Sequence, residues 1–202
     1  MARLRSISLG ALVFSMTAVA AGQGAETRTP MEIVRESNEA ITAILGEYDP
    51  LGSEGEALVY EVMDGVTDFQ EMSAATINDL CGENEIPGEK CGEWKKVFGD
   101  LLRIRSIKGV GRYRADSFDY LNEEIAGERA VVNTLAHYED EEVTIDYELA
   151  SRGDGWVIVN YVIDDVDTSY SYNRRFGRLL DDDTVDDVIQ LLLDRIEDFR
   201  AE

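Results

Sequence analysis

The sequence predicts an α+β fold, in which helices from both ends of the chain cover one face of an antiparallel sheet of four or five strands. Three observations predict it. Apolar residues recur at helical spacing over residues 30–109, at alternating positions over residues 111–166, and at helical spacing again over residues 170–200. Consecutive strands joined by short polar turns form an antiparallel meander, and separate runs of helices and strands are typical of α+β proteins.

The first 20 residues predict a secretory signal peptide. Two arginines precede an uncharged apolar stretch, which ends in the small residues Ala18-Val19-Ala20. The stretch is too short to span a bilayer, and the A-x-A arrangement is typical of a signal-peptidase site. We expect cleavage after Ala20 or Ala21, export, and a single domain over residues 21–202.

Four helices are predicted before the strands. Each of the first three begins with an N-capping residue followed three positions later by Glu, the pattern of a capping box. The capping pairs are Thr29 with Glu32, Ser53 with Glu56, and Asp68 with Glu71. The fourth helix carries an apolar stripe that includes Trp94 and Phe98, and it ends near Gly109, a residue type favoured just after a helix.

Four strands and the C-terminal helices complete the predicted fold. The strands cover residues 112–121, 128–139, 142–151 and 155–164. The third alternates most clearly, because Val143, Ile145, Tyr147 and Leu149 fall on one face and polar residues fall on the other. Thr184 then caps a last amphipathic helix.

The charge of the chain argues against two classes of partner. The formal net charge is −23, and loss of the two arginines of the signal peptide leaves about −25. Such a surface repels nucleic acid and anionic membranes. High solubility and attraction to a basic partner both remain open as reasons for the charge.

The sequence offers little for catalysis or metal binding. Its one histidine, His137, lies in the middle of a predicted strand, and no G-x-S-x-G motif accompanies it. A zinc site lacks ligands, and the acidic stretch that begins at Asp164 lacks the Gly and Glu of a calcium loop. We therefore expect no catalytic residue, metal or cofactor.

The only cysteines, Cys81 and Cys91, could form a metal site, a redox pair or a disulfide. The spacing of C-x9-C is not that of a redox motif, and two further zinc ligands are missing. Because the signal peptide predicts export to an oxidising compartment, a disulfide is favoured.

Two groups of basic residues stand out in this acidic chain. They consist of Arg103, Arg105, Lys108, Arg112 and Arg114, and of Arg174, Arg175 and Arg178. They could complement a helix C-terminus and nearby acids, or they could contact a phosphate group or an acidic partner.

Three segments together resemble the MlaC family, also called the toluene-tolerance auxiliary family. They are VTDFQEMSAATI, WKKVFGDLL and GWVIVNYVIDDVDTSYSYNRRF, and their order and spacing carry the resemblance. Members of this family are periplasmic phospholipid-binding components of an ABC lipid transport system. The resemblance covers nearly the whole chain after the signal peptide.

The resemblance implies a monomeric, non-enzymatic carrier with a lipid cavity between helices and sheet. It implies transfer of phospholipid between an outer-membrane lipoprotein–porin complex and the lipid-binding subunit of an inner-membrane ABC transporter, which maintains outer-membrane lipid asymmetry. The candidate lining residues are Phe69, Trp94, Phe98, Leu102, Val143, Ile145, Tyr147, Leu149, Tyr172 and Phe176. The candidate contacts to a headgroup or partner are Arg112, Arg114, Arg174 and Arg175. Alternatives are a carrier of another apolar cargo such as a hopanoid, an envelope scaffold, and a secreted hydrolase or isomerase that uses His137.

Overall fold

A computed structural model describes residues 28–112, 114–139, 141–153 and 155–201, so the predicted signal peptide lies outside the described residues. The helices are α1 (Pro30–Glu47), α2 (Gly52–Val66), α3 (Phe69–Glu83), α4 (Gly88–Arg112), α5 (Thr168–Leu180) and α6 (Val185–Ala201). The strands are β1 (Ser117–Ala126), β2 (Arg129–His137), β3 (Glu142–Arg152), β4 (Gly155–Ile163) and β5 (Val166–Asp167). Within these ranges, no helix is both long and apolar enough to cross a bilayer.

The full capping box is confirmed for α1, only the N-cap contact of the pair forms in α3, and the predicted cap is wrong for α2. The Glu32 amide donates to Thr29 Oγ1 at 3.2 Å, and the Thr29 amide donates to Glu32 Oε2 at 2.8 Å. Asp68 caps α3 by accepting from the Glu71 amide at 2.8 Å, whereas the Asp68 amide donates to the Ile158 carbonyl and not to Glu71. In α2 the helix already begins at Gly52, whose φ of 57° suits glycine, so Ser53 lies inside the first turn instead of capping it.

The strands form one open antiparallel sheet in the order β1-β2-β3-β4-β5. Helix α1 packs against β1, β2 and β4, whereas α2, α3 and α5 contact β4. Helix α6 packs against α4 and α5. The α+β class with an antiparallel sheet is therefore confirmed, and α1 lies on the sheet while the other helices form a bundle next to β4.

The first strand lies later in the chain than predicted. Helix α4 continues past Gly109 to Arg112, and its apolar stripe includes the buried residues Ile104 and Ile107. The strand then covers Ser117–Ala126 and ends at a turn in which Gly127 has a φ of 63°.

Two of the three long hairpins, β1–β2 and β3–β4, contain a β-bulge. In the β1–β2 pair the register shifts between Tyr120 and Asn122, and the extra residue lies in β1. In the β3–β4 pair it shifts between Glu148 and Leu149, and the extra residue lies in β4. A bulge reverses which residues face the core on one side of it, and both shifts turn a tyrosine inward, Tyr120 in β1 and Tyr161 in β4.

Candidate functional site

The predicted lining residues divide between two apolar clusters. The first, the helix cluster, is formed by buried residues of α2 to α6. The second, the sheet cluster, is formed by α1 and the sheet face beneath it. The helix cluster, with Tyr172 at its margin, contains Phe69, Trp94, Phe98, Leu102, Tyr172 and Phe176. The sheet cluster, with Ile145 at its margin, contains Ile145, Tyr147 and Leu149, whereas Val143 belongs to neither cluster.

Aromatic rings fill the space between α4 and α5 in the helix cluster. The ring of Phe176 meets Trp94 at a centroid distance of 5.2 Å and Phe98 at 4.8 Å, both edge to face. Tyr172 contacts Phe98 at 4.8 Å, and its hydroxyl accepts a hydrogen bond from Arg105. Edge-to-face pairs add about 0.5–1.5 kcal/mol each to the burial of the rings. These contacts therefore hold α5 against α4.

The indole N–H of Trp94 is buried in this cluster and has no hydrogen-bond acceptor among the described residues. Trp94 itself is 0% exposed. A buried donor left unsatisfied costs about 1–3 kcal/mol, so native proteins contain few of them. Trp94 thus presents a polar group to the part of the core that was predicted to line a ligand site.

The sheet cluster is centred on Tyr147. Its hydroxyl donates to Asn38 Oδ1 on α1 at 3.2 Å, and Leu149 packs beside it. Burial raises the pKa of Tyr147 well above its usual value, so the hydroxyl is neutral at physiological pH. Like Trp94, Asn38 keeps one buried polar atom, its Nδ2, without a partner among the described residues.

Tyr161 connects the two clusters, and the sequence did not single it out. Its ring packs against both clusters and meets Tyr147 at a centroid distance of 5.6 Å. Its hydroxyl lies 2.9 Å from Thr67 Oγ1 at the junction of α2 and α3, and burial raises its pKa to about 12. The Asp68 amide donates to the Ile158 carbonyl at 2.9 Å, which ties the same junction to β4. An apolar ligand that touched both clusters would have to pass this tyrosine.

Two clefts open on the surface of the described part of the chain, each with a volume of about 350 Å³. One, called here the junction cleft, lies between the α2–α3 junction, α4 and β4; Phe69 forms part of its wall, and Arg103 is paired there with Asp64 at 2.5 Å. The other, called here the arginine cleft, lies between α3 and α5 and is lined by Leu80, Glu83, Asn84, Arg174, Gly177, Arg178 and Asp181.

The predicted headgroup arginines do not form one group. Arg114 pairs with Asp49 at 3.0 Å, and the side chain of Arg112 lies outside the described structure. Arg174 lines the arginine cleft, whereas Arg175 is exposed on α5 and does not line it. Arg178 lines the cleft as well; its spacing of four from Arg174 on a helix is the sequence signal that places both on one side.

His137 lies on the opposite face of the sheet from α1. Its Nε2 is 2.9 Å from Asp119 Oδ2, and its Nδ1 is 3.2 Å from Glu142 Oε1. The hydrogen bond to Asp119, with the charges of both acids, raises the pKa of His137 above its usual value of 6.5. Both ring nitrogens thus have carboxylate partners. Neither this cluster nor any other group of three or more His, Cys, Asp or Glu side chains in the described ranges is arranged to hold a metal ion.

The predicted disulfide is confirmed. Cys81 near the end of α3 is bonded to Cys91 in the first turn of α4, with a Cα–Cα distance of 5.9 Å. Both residues belong to the helix cluster. The bond therefore joins α3 to the helix that carries Trp94 and Phe98.

Comparison with known proteins identifies the family. A comparison with curated proteins gave no match. Among solved structures, a phospholipid-binding protein from Ralstonia solanacearum, determined in complex with a phospholipid, has the same fold with a TM-score of 0.71 and 18% sequence identity. The match covers 86% of this chain and 99% of that one. The family model described as "MlaC protein" matches residues 35–194, so the chain belongs to the MlaC family.

Proposed function

We propose that this chain is a periplasmic carrier that encloses the acyl chains of a phospholipid between its helices and its sheet. It exchanges lipid with an outer-membrane lipoprotein–porin complex and with the lipid-binding subunit of an inner-membrane ABC transporter, and so maintains outer-membrane lipid asymmetry. It acts as a monomer and without catalysis. The observation that carries the proposal is the meeting of two apolar clusters at Tyr161, in a chain of the MlaC family. The phospholipid bound by the Ralstonia protein of the same fold supports it.

The energetics of lipid transfer explain why such a carrier is needed. Two acyl chains contain on the order of 30 methylenes, and exposure of each to water costs about 0.8 kcal/mol, or roughly 25 kcal/mol in total. Free diffusion of a phospholipid across an aqueous compartment is therefore far too rare to supply a membrane. A protein that surrounds the chains removes most of this cost.

The packing of the helix cluster sets a condition for binding. Phe176, Phe98 and Trp94 are almost completely buried, and Phe176 contacts both of the other rings, so acyl chains can enter only if Phe176 moves away from them. The chains would replace apolar contacts with other apolar contacts, which offsets part of the cost of moving the ring. The Trp94 N–H, which lacks an acceptor among the described residues, could then donate to an ester carbonyl of the lipid.

The environment of His137 favours a carrier over a hydrolase or isomerase. Asp119 and Glu142 occupy its two ring nitrogens, and it lies on the face of the sheet away from both the helix cluster and the sheet cluster. A general base must instead reach the proton that it removes from a bound substrate. His137 is therefore a surface ion-pair residue in the proposed function.

Mass spectrometry of organic extracts tests the proposal. Protein exported and purified without detergent should contain about one phospholipid per chain, whereas a hopanoid in the extract would support the alternative cargo. Ile145→Trp, at the margin of the sheet cluster, should reduce the bound lipid while the circular dichroism spectrum is retained. Leu135→Trp is the matched control, because Leu135 lies on the other face of the sheet and should leave loading unchanged. Purified protein without any lipid would contradict the proposal.

A further inference from the structure

The arginine cleft has an apolar floor that belongs to the helix cluster. Leu80 is only 5% exposed and is a member of that cluster, yet it also lines the cleft. Opposite Leu80, a methyl group added to Gly177 would lie 3.7 Å from Leu80 Cδ2. Gly177 directly follows Phe176, the residue with which Trp94 and Phe98 pack. The cleft therefore lies just outside the ring contacts through which acyl chains would pass.

The two arginines of the cleft form no ion pair with any carboxylate in the described ranges. They remain unpaired although the chain has 42 acidic and 19 basic residues, so that acids outnumber bases by about two to one. Several other basic side chains are ion-paired, as Lys108 is with Glu56 at 2.8 Å, although Arg35, Arg105 and Arg175 also lack a carboxylate partner within the described ranges. Arg174 instead approaches the hydroxyl of Tyr170 at 3.3 Å. Two guanidinium groups are thus available to an anion, and their forked donors suit the oxygens of a phosphate.

Negative charge lines the same cleft. Glu83 lies at the end of α3 and Asp181 at the end of α5, and neither is paired with Arg174 or Arg178. The C-terminal ends of both helices add partial negative charge at this point. A simple anion would be repelled by these groups. A ligand with a phosphate and a separate positive charge would satisfy both sets.

We propose that the arginine cleft is the headgroup site of the carried lipid and that it selects zwitterionic headgroups, in which a phosphate is followed by an ammonium group. The phosphate would contact Arg174 and Arg178, and the ammonium would contact Glu83 and Asp181. The cleft volume of about 350 Å³ lies within the range of roughly 300–1,000 Å³ that is usual for small-ligand sites. This inference rests on the proposed carrier function, since it assigns the headgroup of the lipid whose acyl chains enter the helix cluster.

The test compares two lipids that differ in the charge of the headgroup. Full-length protein, exported, purified and stripped of lipid, is incubated with vesicles that contain equal amounts of phosphatidylethanolamine and phosphatidylglycerol, and the bound lipids are measured by mass spectrometry. The wild type should favour phosphatidylethanolamine. In the double variant Glu83→Gln/Asp181→Asn, the ratio of phosphatidylethanolamine to phosphatidylglycerol should fall about tenfold, the order expected for loss of a charge-assisted contact.

The arginine variant separates phosphate binding from headgroup selection. Arg174→Gln/Arg178→Gln should lower the loading of both lipids about tenfold, because both carry a phosphate. Arg175→Gln is the matched control, since Arg175 lies on the same helix but does not line the cleft, and it should change neither loading nor ratio. All these side chains lie at the surface, so thermal unfolding should confirm that each variant is folded.

The possible results distinguish the inference from the function on which it rests. If the wild type binds lipid without preference, or if both double variants behave like Arg175→Gln while lipid is bound, the headgroup site is refuted and the carrier function stands. If the wild type binds neither lipid, the carrier function is refuted together with the headgroup site.

Discussion

Replacement of Phe176 by alanine tests most directly where the acyl chains bind. Phe176 is 1% exposed, and its ring contacts Trp94 and Phe98 at centroid distances of 5.2 and 4.8 Å. Truncation of a buried phenylalanine costs about 3–5 kcal/mol, through lost burial and the cavity that remains. At about 2–4 °C per kcal/mol for a chain of this size, the Tm of the lipid-free protein should fall by roughly 6–20 °C.

The rise in Tm on addition of lipid should be larger for Phe176→Ala than for the wild type. In the proposed function, acyl chains would have to displace the Phe176 ring of the wild type before they enter the helix cluster, and this displacement would lower the affinity. Phe176→Ala leaves an apolar space that the chains can fill without this cost. Each tenfold gain in affinity adds about 1.4 kcal/mol to the stabilisation by a ligand in excess, or roughly 3–6 °C in Tm.

The assay is thermal unfolding of lipid-stripped protein, with and without a short-chain phospholipid below its micelle concentration. Phe199→Ala is the matched control, because Phe199 is half-buried against the helix cluster from α6 and makes no ring contact with Phe176. It should lose less stability and should show the same lipid-induced rise in Tm as the wild type. If Phe176→Ala is destabilised as expected but its rise in Tm equals that of the wild type, the acyl chains do not take the place of the ring.

Three further predictions concern the scaffold. Replacement of both Cys81 and Cys91 by alanine should lower the free energy of unfolding by about 3 kcal/mol, because the cross-link restricts the unfolded chain. The difference in stability between this variant and the wild type, measured by denaturant titration, should vanish when a reductant is present. Gly55→Ala should destabilise the protein by about 1–3 kcal/mol, since the added methyl group would lie 2.8 Å from Tyr48 Cβ, at the C-cap of α1. Gly65→Ala in the same helix meets no atom within 4 Å and should stabilise the protein by about 1 kcal/mol. Both effects are read from the midpoint of denaturant unfolding. Because the pKa of His137 is raised, its ion pairs stabilise the folded state fully below pH 6.5, and this contribution is lost as the pH rises through the raised pKa. His137→Gln should therefore remove part of the decline in Tm over that pH range. A pH profile of Tm that is the same in the variant and the wild type would contradict the pairing.

The sequence predicts the elements whose signals are local. Capping side chains fix the start of α1 and of α3, because each cap involves residues only three positions apart. The disulfide could be predicted for a similar reason, since the number of cysteines and the expected compartment leave one favoured pairing. The spacing of four between Trp94 and Phe98 predicts that both lie on the buried face of one helix, and both are buried in the helix cluster.

The bulges explain why Tyr161 could not be predicted. The hairpin of β3 and β4 pairs Arg152 with Gly155 next to its turn, and continuing that register would place Tyr147 opposite Asn160 and turn Tyr161 outward. The bulge shifts the register by one residue, so that Tyr147 faces Tyr161. No local pattern in the sequence specifies the bulge. The residue that joins the two clusters therefore becomes visible only when the register is known.

The attachments of α5 indicate where the protein should open to admit a lipid. Helices α3 and α4 are joined by a covalent bond, and the α2–α3 junction is bonded to β4 through Thr67 and the Asp68 amide. The start of α5 is held by Asn160, whose Oδ1 accepts from Ser169 Oγ at 2.9 Å and also from its amide. Further along, one hydrogen bond of 2.9 Å from Asn173 to the Thr76 carbonyl joins α5 to α3 among the described residues, and beyond it α5 packs through apolar residues that include Phe176, Leu179 and Leu180. In the proposed function, separation of α5 from α3 at this end would break this one hydrogen bond, and it would open the helix cluster at the arginine cleft, where the proposed headgroup site and the path of the acyl chains meet.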